Sequence, residues 1–298
     1  MKKLLLTGGT GFLGNIIYRE LSSSYEIHRL GRSTKNEVTC NLAEDQPELE
    51  HKYDVVVHTA GKAHMIPRSR QEMRDFFRVN YEGTLHLTKA LEEVGKPDVF
   101  IFISSVAVYG AENGELIDEE TSLDGHTPYA RSKIQTEEFL HAWSASRNVP
   151  VLILRLPLIA GPNPRGNLGK MISGIRTGKY LSISGGKARR SAVMARDVAR
   201  LIPSVEDKYG VYNLTDGYHP SFRELEKIIC RQVGRSGTLS IPGYIANLIG
   251  SLGDILPFFP VNSNTISKMT NHLTFDDSKA RRELGWKPEK VIDVFEIE

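Results

Sequence analysis

The sequence predicts an α/β fold: a doubly wound parallel sheet with helices on both faces and a smaller C-terminal lobe. Two patterns carry that expectation. Candidate strands recur at residues 3–6, 25–30, 38–42, 54–59, 99–104 and 151–156, several of them nearly continuous runs of Val, Ile, Leu and Phe, as expected for parallel strands covered on both faces. Stretches of helical periodicity at 12–21, 80–94 and 129–146 lie between them, and alternating strands and helices imply right-handed crossovers in one parallel sheet. After Pro157 the texture changes, with Gly161, Pro162, Pro164, Gly166 and Gly169 in close succession. Residues 1–160 are therefore read as the sheet domain, completed by a returning segment near 211–214. Residues 161–298 are read mainly as a lobe closing over the carboxyl ends of the strands, where ligands of such sheets bind.

The first strand runs straight into Thr7-Gly8-Gly9-Thr10-Gly11-Phe12-Leu13-Gly14 and then into a helix. That order of elements marks a dinucleotide grip. Gly8 turns the chain off the strand, Gly11 clears the approach of a pyrophosphate, and Gly14 lets the helix pack closely on the sheet. The helix start at Phe12 and Leu13 faces the phosphates with unpaired N–H groups and a partial positive charge. Lys2-Lys3-Leu4-Leu5-Leu6 resembles the opening of a secretory signal, but the apolar run stops within a few residues at the glycines, so a cytoplasmic protein is expected. Cys40 and Cys230 are too few and too far apart for a disulfide framework or a metal cluster. A net charge of +2 gives no electrostatic case for nucleic acid.

The stretch 241–260 is conspicuously apolar, yet Gly243, Gly250, Gly253, Asp254 and Pro257 interrupt it. It is no transmembrane span, and a buried or groove-lining amphipathic helix is preferred over membrane contact. The stretch 62–74, with His64, Arg68 and Arg70, reads as the charged start of a surface helix, with reach towards a substrate as the alternative.

Tyr129 and Lys133 stand four residues apart in Tyr129-Ala130-Arg131-Ser132-Lys133 and share a helix face. Using a phenol as a base near neutrality demands a shift of about 3 units from ~10, or roughly 4 kcal/mol. A positive charge about 4 Å away at an effective dielectric of about 20 supplies an interaction of that order. Ser104-Ser105 closes an apolar strand and leads into Val106-Ala107-Val108-Tyr109-Gly110. A hydroxyl on that ligand edge can hydrogen-bond a reacting oxygen while Tyr129 moves its proton.

Together these residues resemble the extended short-chain dehydrogenases/reductases, and within them the nucleotide-sugar epimerase/dehydratase group typified by UDP-glucose 4-epimerase, whose sheet is the Rossmann fold. The motifs are TGGTGFLG at 7–14, VVHTAG at 56–61, VNYEGT at 79–84, SSVAVYG at 104–110, YARSK at 129–133 and FDDSKARRELGWKP at 275–288. The resemblance implies Ser105 as the catalytic hydroxyl touching substrate and Tyr129 as the acid/base. Lys133 would lower the Tyr129 pKa and hold the nicotinamide ribose. It implies further that Asn80 supports the cofactor, that Thr59, Ala60 and Gly61 pass its adenine-ribose side, and that Pro157 lies by the carboxamide. Asn167 and Arg190 would bind the nucleotide sugar, an arginine fork being suited to a diphosphate. A homodimer through the helices at 80–94 and 129–146 is also implied.

Two departures bear on the cofactor. Gly31-Arg32 stands where NAD-preferring members carry an acidic residue, and Arg32 can bind a 2′-phosphate, so NADP is favoured over NAD. Asn41-Leu42 replaces the Asp-Leu that touches adenine. The expected activity is hydride exchange at C4 of a UDP-linked sugar, ending in epimerisation. NADPH-dependent reduction of a nucleotide-linked 4-keto sugar is the alternative. A non-catalytic NADP-sensing regulator, of another class, is disfavoured by the intact Ser105, Tyr129 and Lys133. Dehydration across C5 and C6 is not expected, because Val106 and Ala107 follow Ser105 where dehydratases carry an Asp-Glu pair.

Overall fold

Leu4 and Leu6 face one hydrophobic core and Leu5 the other, and all three are shielded from solvent. That alternation within a wholly apolar run places the first strand in the middle of a sheet with helices on both faces. The structure, a computed structural model, describes residues 1–63, 65–255 and 262–297. The strands are β1 (Lys2–Thr7), β2 (Tyr25–Gly31), β3 (Val38–Thr39), β4 (Val55–His58), β5 (Val99–Ser105), β6 (Gly114–Ile117) and β7 (Val151–Leu156). They continue with β8 (Leu158–Ala160), β9 (Leu181–Ile183), β10 (Ala192–Met194), β11 (Gly210–Asn213), β12 (Leu239–Ile241) and β13 (Leu273–Phe275). The helices of the first half are α1 (Phe12–Leu21), α2 (Arg70–Phe77), α3 (Gly83–Val94) and α4 (Pro128–Arg147), a π-helical turn at Arg78–Glu82 joining α2 to α3. Those of the second half are α5 (Gly166–Arg176), α6 (Ala195–Leu201), α7 (Phe222–Gln232), α8 (Gly243–Ile255), α9 (Ser263–Thr270), α10 (Ser278–Glu283) and α11 (Val291–Val294).

Seven strands pair in the order β11-β7-β5-β4-β1-β2-β3, every pair parallel. The chain winds outward from β1 to β3, then crosses back to lay β4 on the other side of β1. The reversal leaves a crevice at the carboxyl ends of β1 and β4, where Thr7 pairs with His58; such switch points are where open sheets bind ligands. One face is covered through Ile17 of α1 with Val198 and Leu201 of α6, the other through Leu87 and Leu91 of α3 with Leu140 and Trp143 of α4. The third strand is shorter than the apolar run at 38–42. The Cys40 N–H still donates to the Gly31 carbonyl, but the chain then turns, the Asn41 carbonyl accepting from the N–H groups of Glu44 and Asp45.

The lobe holds three further parallel pairs, β8 with β10, β9 with β12 and β6 with β13. Leu168 and Ile172 of α5 pack with Leu225 and Ile229 of α7 and with Phe295. The chain does not leave the sheet for good at residue 160. Helix α6 lies on the same face as α1, and Trp286, just past α10, joins that core while its Nε1–H donates to the Thr215 carbonyl at 2.8 Å. Among the described residues no helix is long and apolar enough to cross a membrane.

The apolar stretch 241–260 departs from expectation. As far as Ile255 it is α8, but the residues turned inward are the small Ala246, Gly250 and Gly253, whereas Tyr244, Leu248 and Leu252 are exposed. A Cβ on Gly250 would come within 3.1 Å of Ile266 and of the Ser263 backbone, so α9 takes the room that a buried large side chain would need. Residues 256–260 of the stretch lie outside the described residues.

The glycine loop is tight. Gly8 has φ +70°, a left-handed conformation that glycine adopts without strain, and a Cβ on Gly14 would lie 2.3 Å from the Gly8 carbonyl oxygen. Gly14→Ala is therefore expected to destabilise the protein by about 1–3 kcal/mol, the usual cost of overpacking. Urea unfolding measures it, and a wild-type midpoint would show that the loop yields freely.

Candidate active site

Helix α4 has strong start signals: the Thr127 hydroxyl accepts the Ala130 N–H at 3.1 Å and Pro128 occupies the first turn. Tyr129 is thereby fixed in that first turn, with Lys133 one turn further along the same face. Strand β5 ends at Ser105, whose hydroxyl accepts the Ala107 N–H at 3.2 Å as the chain enters a 3₁₀ turn at Val106–Tyr109. The packing of α4 on β5 brings the expected catalytic residues together. The Ser105 hydroxyl faces the Tyr129 phenol closely enough to favour its ionised form. The Lys133 ammonium donates to the Ile103 carbonyl at 2.8 Å and stands 4.4 Å above the centre of the Phe102 ring.

Burial dominates the electrostatics. It pulls Lys133 from its ordinary 10.5 down to about 8, opposed by the negative charge of Glu137. It also pushes the Tyr129 phenol up, opposed by the Ser105 hydroxyl. The sequence reading had Lys133 depress the tyrosine. In the protein by itself that depression is absent, because the ammonium is turned to the Ile103 carbonyl and the burial of the phenol outweighs the interactions that favour its ionised form. Glu137, one turn beyond Lys133, is bound by Arg155, with Nη2 to Oε2 at 2.7 Å and Nε to Oε2 at 3.2 Å, and also accepts the Ser104 hydroxyl. Arg155 Nη1 donates to the Tyr109 hydroxyl at 2.9 Å, which donates to Asn213 Oδ1 at 2.8 Å. Sequence reasoning missed this buried chain, whose members are scattered between residues 104 and 213 with no shared motif or period.

A second buried chain runs along the crevice. The Thr84 hydroxyl donates to the Asn80 carbonyl at 2.6 Å, so its oxygen accepts from His58 Nε2 at 3.0 Å. His58 Nδ1 is then the acceptor for the Thr7 hydroxyl at 2.6 Å. Full burial lowers His58 to about 3 and keeps it neutral. Asn80 lies in the π turn, a feature common at functional sites. Its Oδ1 accepts the Lys62 N–H at 2.7 Å and its Nδ2 donates to the Ser132 hydroxyl at 2.8 Å.

These residues fit a dinucleotide. A Cβ on Gly8 would meet Ala60 N and Thr59 Oγ1 at 2.8 Å, and one on Gly61 would stand 3.1 Å from Asn80 Oδ1 and 3.6 Å from Lys133 Nζ. The Thr59-Ala60-Gly61 backbone therefore lies between the glycine loop and the lysine. No side chain caps Gly11, and the first turn of α1, including Phe12 and Leu13, carries no acid, leaving its N–H groups for an anion. Pro157 directly follows Leu156, the register partner of Ser105. Leu42 packs against Gly83, and its carbonyl accepts from His86 Nδ1 at 2.8 Å; Asn41 beside it is half-buried. Arg32 is exposed just beyond β2, its guanidinium free of ion pairs among the described residues. Two further groups at this corner carried no sequence signal. Asn36 Oδ1 is buried without a partner, in a side chain whose Nδ2 stands 3.0 Å from where a Gly31 Cβ would be. Arg29 lies over Tyr18 and against Gly9, paired with Glu37 at 2.8 Å.

In the lobe, Asn167 is exposed in the first turn of α5, whose amino terminus also lacks a side-chain cap. Arg190 donates through Nη2 to the Lys268 carbonyl and stands 5.8 Å above the centre of the Phe222 ring. It has no carboxylate partner among the described residues, its Nη1 is buried with nothing to donate to, and burial lowers its pKa. Neither residue is hydrogen-bonded to the Ser105 group. Arg68 and Arg70 are exposed, and His64 lies outside the described residues.

Residues 4–214 match the profile of the NAD dependent epimerase/dehydratase family. The chain belongs to that family. It is an NAD(P)-dependent enzyme of the extended short-chain dehydrogenase/reductase type, not a non-catalytic sensor. Among its relatives, a UDP-glucose 4-epimerase of Vibrio cholerae is 28% identical over 98% of this chain and 92% of its own. The N-acetyl-alpha-D-glucosaminyl-diphospho-ditrans,octacis-undecaprenol 4-epimerase of Escherichia coli O157:H7 is 27% identical over 93% and 88%. The structure of RMD from Pseudomonas aeruginosa, complexed with NADPH, superposes with a TM-score of 0.74 at 22% identity, covering 98% of this chain and 95% of that one. The parallel sheet described above is thus a Rossmann fold.

The depressed Lys133 pKa has a stability consequence. Between about 8 and 10.5 the unfolded chain binds a proton that the folded chain does not, so stability rises with pH across that window. Below it, burying the ammonium costs on the order of 3 kcal/mol. Lys133→Met should remove most of that cost and lose the bond to Ile103. It is expected to raise unfolding stability at pH 7 by about 1–3 kcal/mol, the gain fading towards pH 10.5, while activity falls. Denaturation at both pH values, with an activity assay, measures the effect; equal stability at pH 7 would contradict it.

Proposed function

We propose that this enzyme epimerises a UDP-linked sugar at C4. The observation that carries the reading is Arg190. A half-buried guanidinium with no carboxylate and an orphaned Nη1 is an incomplete arrangement, and a diphosphate completes it with charge-assisted bonds. Asn167, at an uncapped helix start in the same lobe, is the second proposed substrate contact. Relatives named as 4-epimerases, one acting on UDP-glucose and the other on a diphospho-linked N-acetylglucosaminyl lipid, support C4 as the reacting centre.

In this reading Tyr129 takes the C4 hydroxyl proton as the C4–H bond breaks, and Ser105 hydrogen-bonds the oxygen on which the carbonyl forms. Lys133, aided by Asn80, holds the cofactor ribose and keeps a positive charge beside the phenol in the productive complex. The glycine loop with Thr59, Ala60 and Gly61 would hold the dinucleotide, and Pro157 would lie on its carboxamide side. The bound nicotinamide supplies a hydride acceptor that is also the donor. Tyr129 would then return its proton to the oxygen at C4, closing the cycle with its phenol restored. Dehydration is not proposed, because Val106 and Ala107 carry no ionisable group beside Ser105. A homodimer through α3 and α4 belongs to the same proposal.

Incubation with UDP-galactose or UDP-N-acetylgalactosamine and no added reductant should give the C4 epimer without net cofactor consumption. Tyr129→Phe should abolish conversion with cofactor affinity nearly intact. Arg190→Leu should raise KM at least about tenfold, as loss of a charge-assisted contact to a diphosphate implies. Inactivity on these sugars, with stoichiometric NADPH oxidation on a UDP-linked 4-keto sugar, would establish the second reading, a 4-keto-sugar reductase.

The free Arg32 guanidinium favours that second reading, because it suits NADP, and a reductase exchanges its cofactor every turnover. Wild type is expected to bind NADP(H) more tightly than NAD(H), and Arg32→Ala should erase the difference while leaving NAD affinity unchanged. Isothermal titration of both cofactors measures this, and tighter binding of NAD by the wild type would contradict it.

A further inference from the structure

We propose that the outer face of α8 docks the substrate lobe on an anionic lipid bilayer. The helix is amphipathic in reverse. Its inner line is Ala246, Gly250 and Gly253, while Tyr244, Leu248 and Leu252 are 76%, 64% and 49% exposed. Asp254 is its single charged residue. Large apolar side chains on the solvent side of a helix that packs inward through glycine gain nothing from the fold itself, and the informative departure on a protein surface is such a patch. The patch continues onto the strand pair that leads into α8: Leu181 and Leu239 are register partners in β9 and β12, and both are exposed.

The charges around it identify what covers it. Across the whole chain acids and bases nearly balance, yet residues 165–190 hold seven Lys and Arg and no Asp or Glu. Residues 227–272 hold four Lys and Arg against the single Asp254. These two segments build the layer that carries α8: β9 pairs with β12, and Ile183 packs with Ala246 and Ile266. Arg176, Lys179, Lys227 and Arg235 are exposed there, and Arg235 donates to the Arg176 carbonyl at 2.8 Å, tying the two segments together. An apolar helical face with an aromatic residue, carried by a layer whose two segments hold eleven Lys and Arg against Asp254, with Lys268 alone of these paired to an acid among the described residues, Glu112 at 3.7 Å, is complementary to an acyl surface beneath anionic headgroups. A second copy of the same basic face would meet it with like charge.

Docking there has a bearing on the site. The Lys268 carbonyl that accepts from Arg190 belongs to α9, the helix on which α8 packs. The bilayer would therefore lie beside the anion-binding arginine, with α9 common to both.

The test is co-sedimentation of the full chain with vesicles of phosphatidylcholine alone and of phosphatidylcholine with phosphatidylglycerol. Wild type is expected to bind the anionic vesicles, with affinity falling as salt is raised, and to leave neutral ones largely unbound. Leu248→Ser with Leu252→Ser, and separately Lys179→Gln with Lys227→Gln, should each weaken binding at least about tenfold. The substituted side chains are exposed, so circular dichroism should match wild type. Absence of vesicle binding by the wild type, or equal binding by both double variants, would overturn the proposal. So would a wild-type dimer that the leucine substitutions dissociate without any change in vesicle binding, since the face would then join two copies.

Discussion

A positive charge held out of water at the end of β5 is the constraint around which the site is arranged. Lys133 has a carbonyl, a ring face and the carboxylate of Glu137 to set against its lost hydration. Glu137 is itself buried and is balanced by Arg155, whose remaining donor goes to Tyr109 and through it to Asn213. Behind the lysine, Glu137 and Arg155 each leave a charge stranded if the other is lost, which is the costly way to break a buried pair. The chain of bonds crosses from α4 to β7, to the turn after Ser105 and to β11. The last sheet strand, added long after the chain has entered the lobe, thus serves the polar wiring behind the lysine as well as covering an edge.

Much of this was legible from residue order, for reasons that differ by element. Most of the buried strands announced themselves as largely apolar runs, and 151–156 coincides with β7 even though the buried Arg155 interrupts it. The Ser105, Tyr129 and Lys133 grouping was readable because each sits at a defined place on its own element, at a strand end or one turn apart on a helix. The Glu137–Arg155 pair was not, since a buried ion pair between a helix and a distant strand has no period to detect. The shortened β3 ends at a turn built from backbone groups, which side-chain patterning does not reveal. For α8 the apolar content was read correctly and its direction wrongly: with glycine and alanine on the packed line, the large side chains are left on the outside.

The lobe carries two kinds of incompleteness that share a cause. Arg190 is a charge with too little around it, and α8 shows apolar surface with too much water around it. Each is unfavourable for the chain alone, and each is resolved by something that is not part of the chain: an anion in one case, an apolar phase in the other. In the sheet domain the cations Lys133, Arg155 and Arg29 are matched by Glu137 and Glu37, while the orphaned Asn36 Oδ1 is incomplete in the same sense as Arg190.

The π turn at Arg78–Glu82 acts as a phase shifter between two helices that would otherwise be one. A π turn holds one residue more than the α-helical turn it replaces, so it offsets the faces of α2 and α3 by about 100° relative to an uninterrupted helix. That offset lets Phe76 lie edge-on to Tyr129 while Leu87 and Leu91, further along the same rod, point at the sheet. A chain one residue shorter here would gain a regular helix and lose the simultaneous aim of both ends. Length across this segment is accordingly under tighter constraint than the identity of most residues in it, and natural variation should spare the count before it spares the side chains.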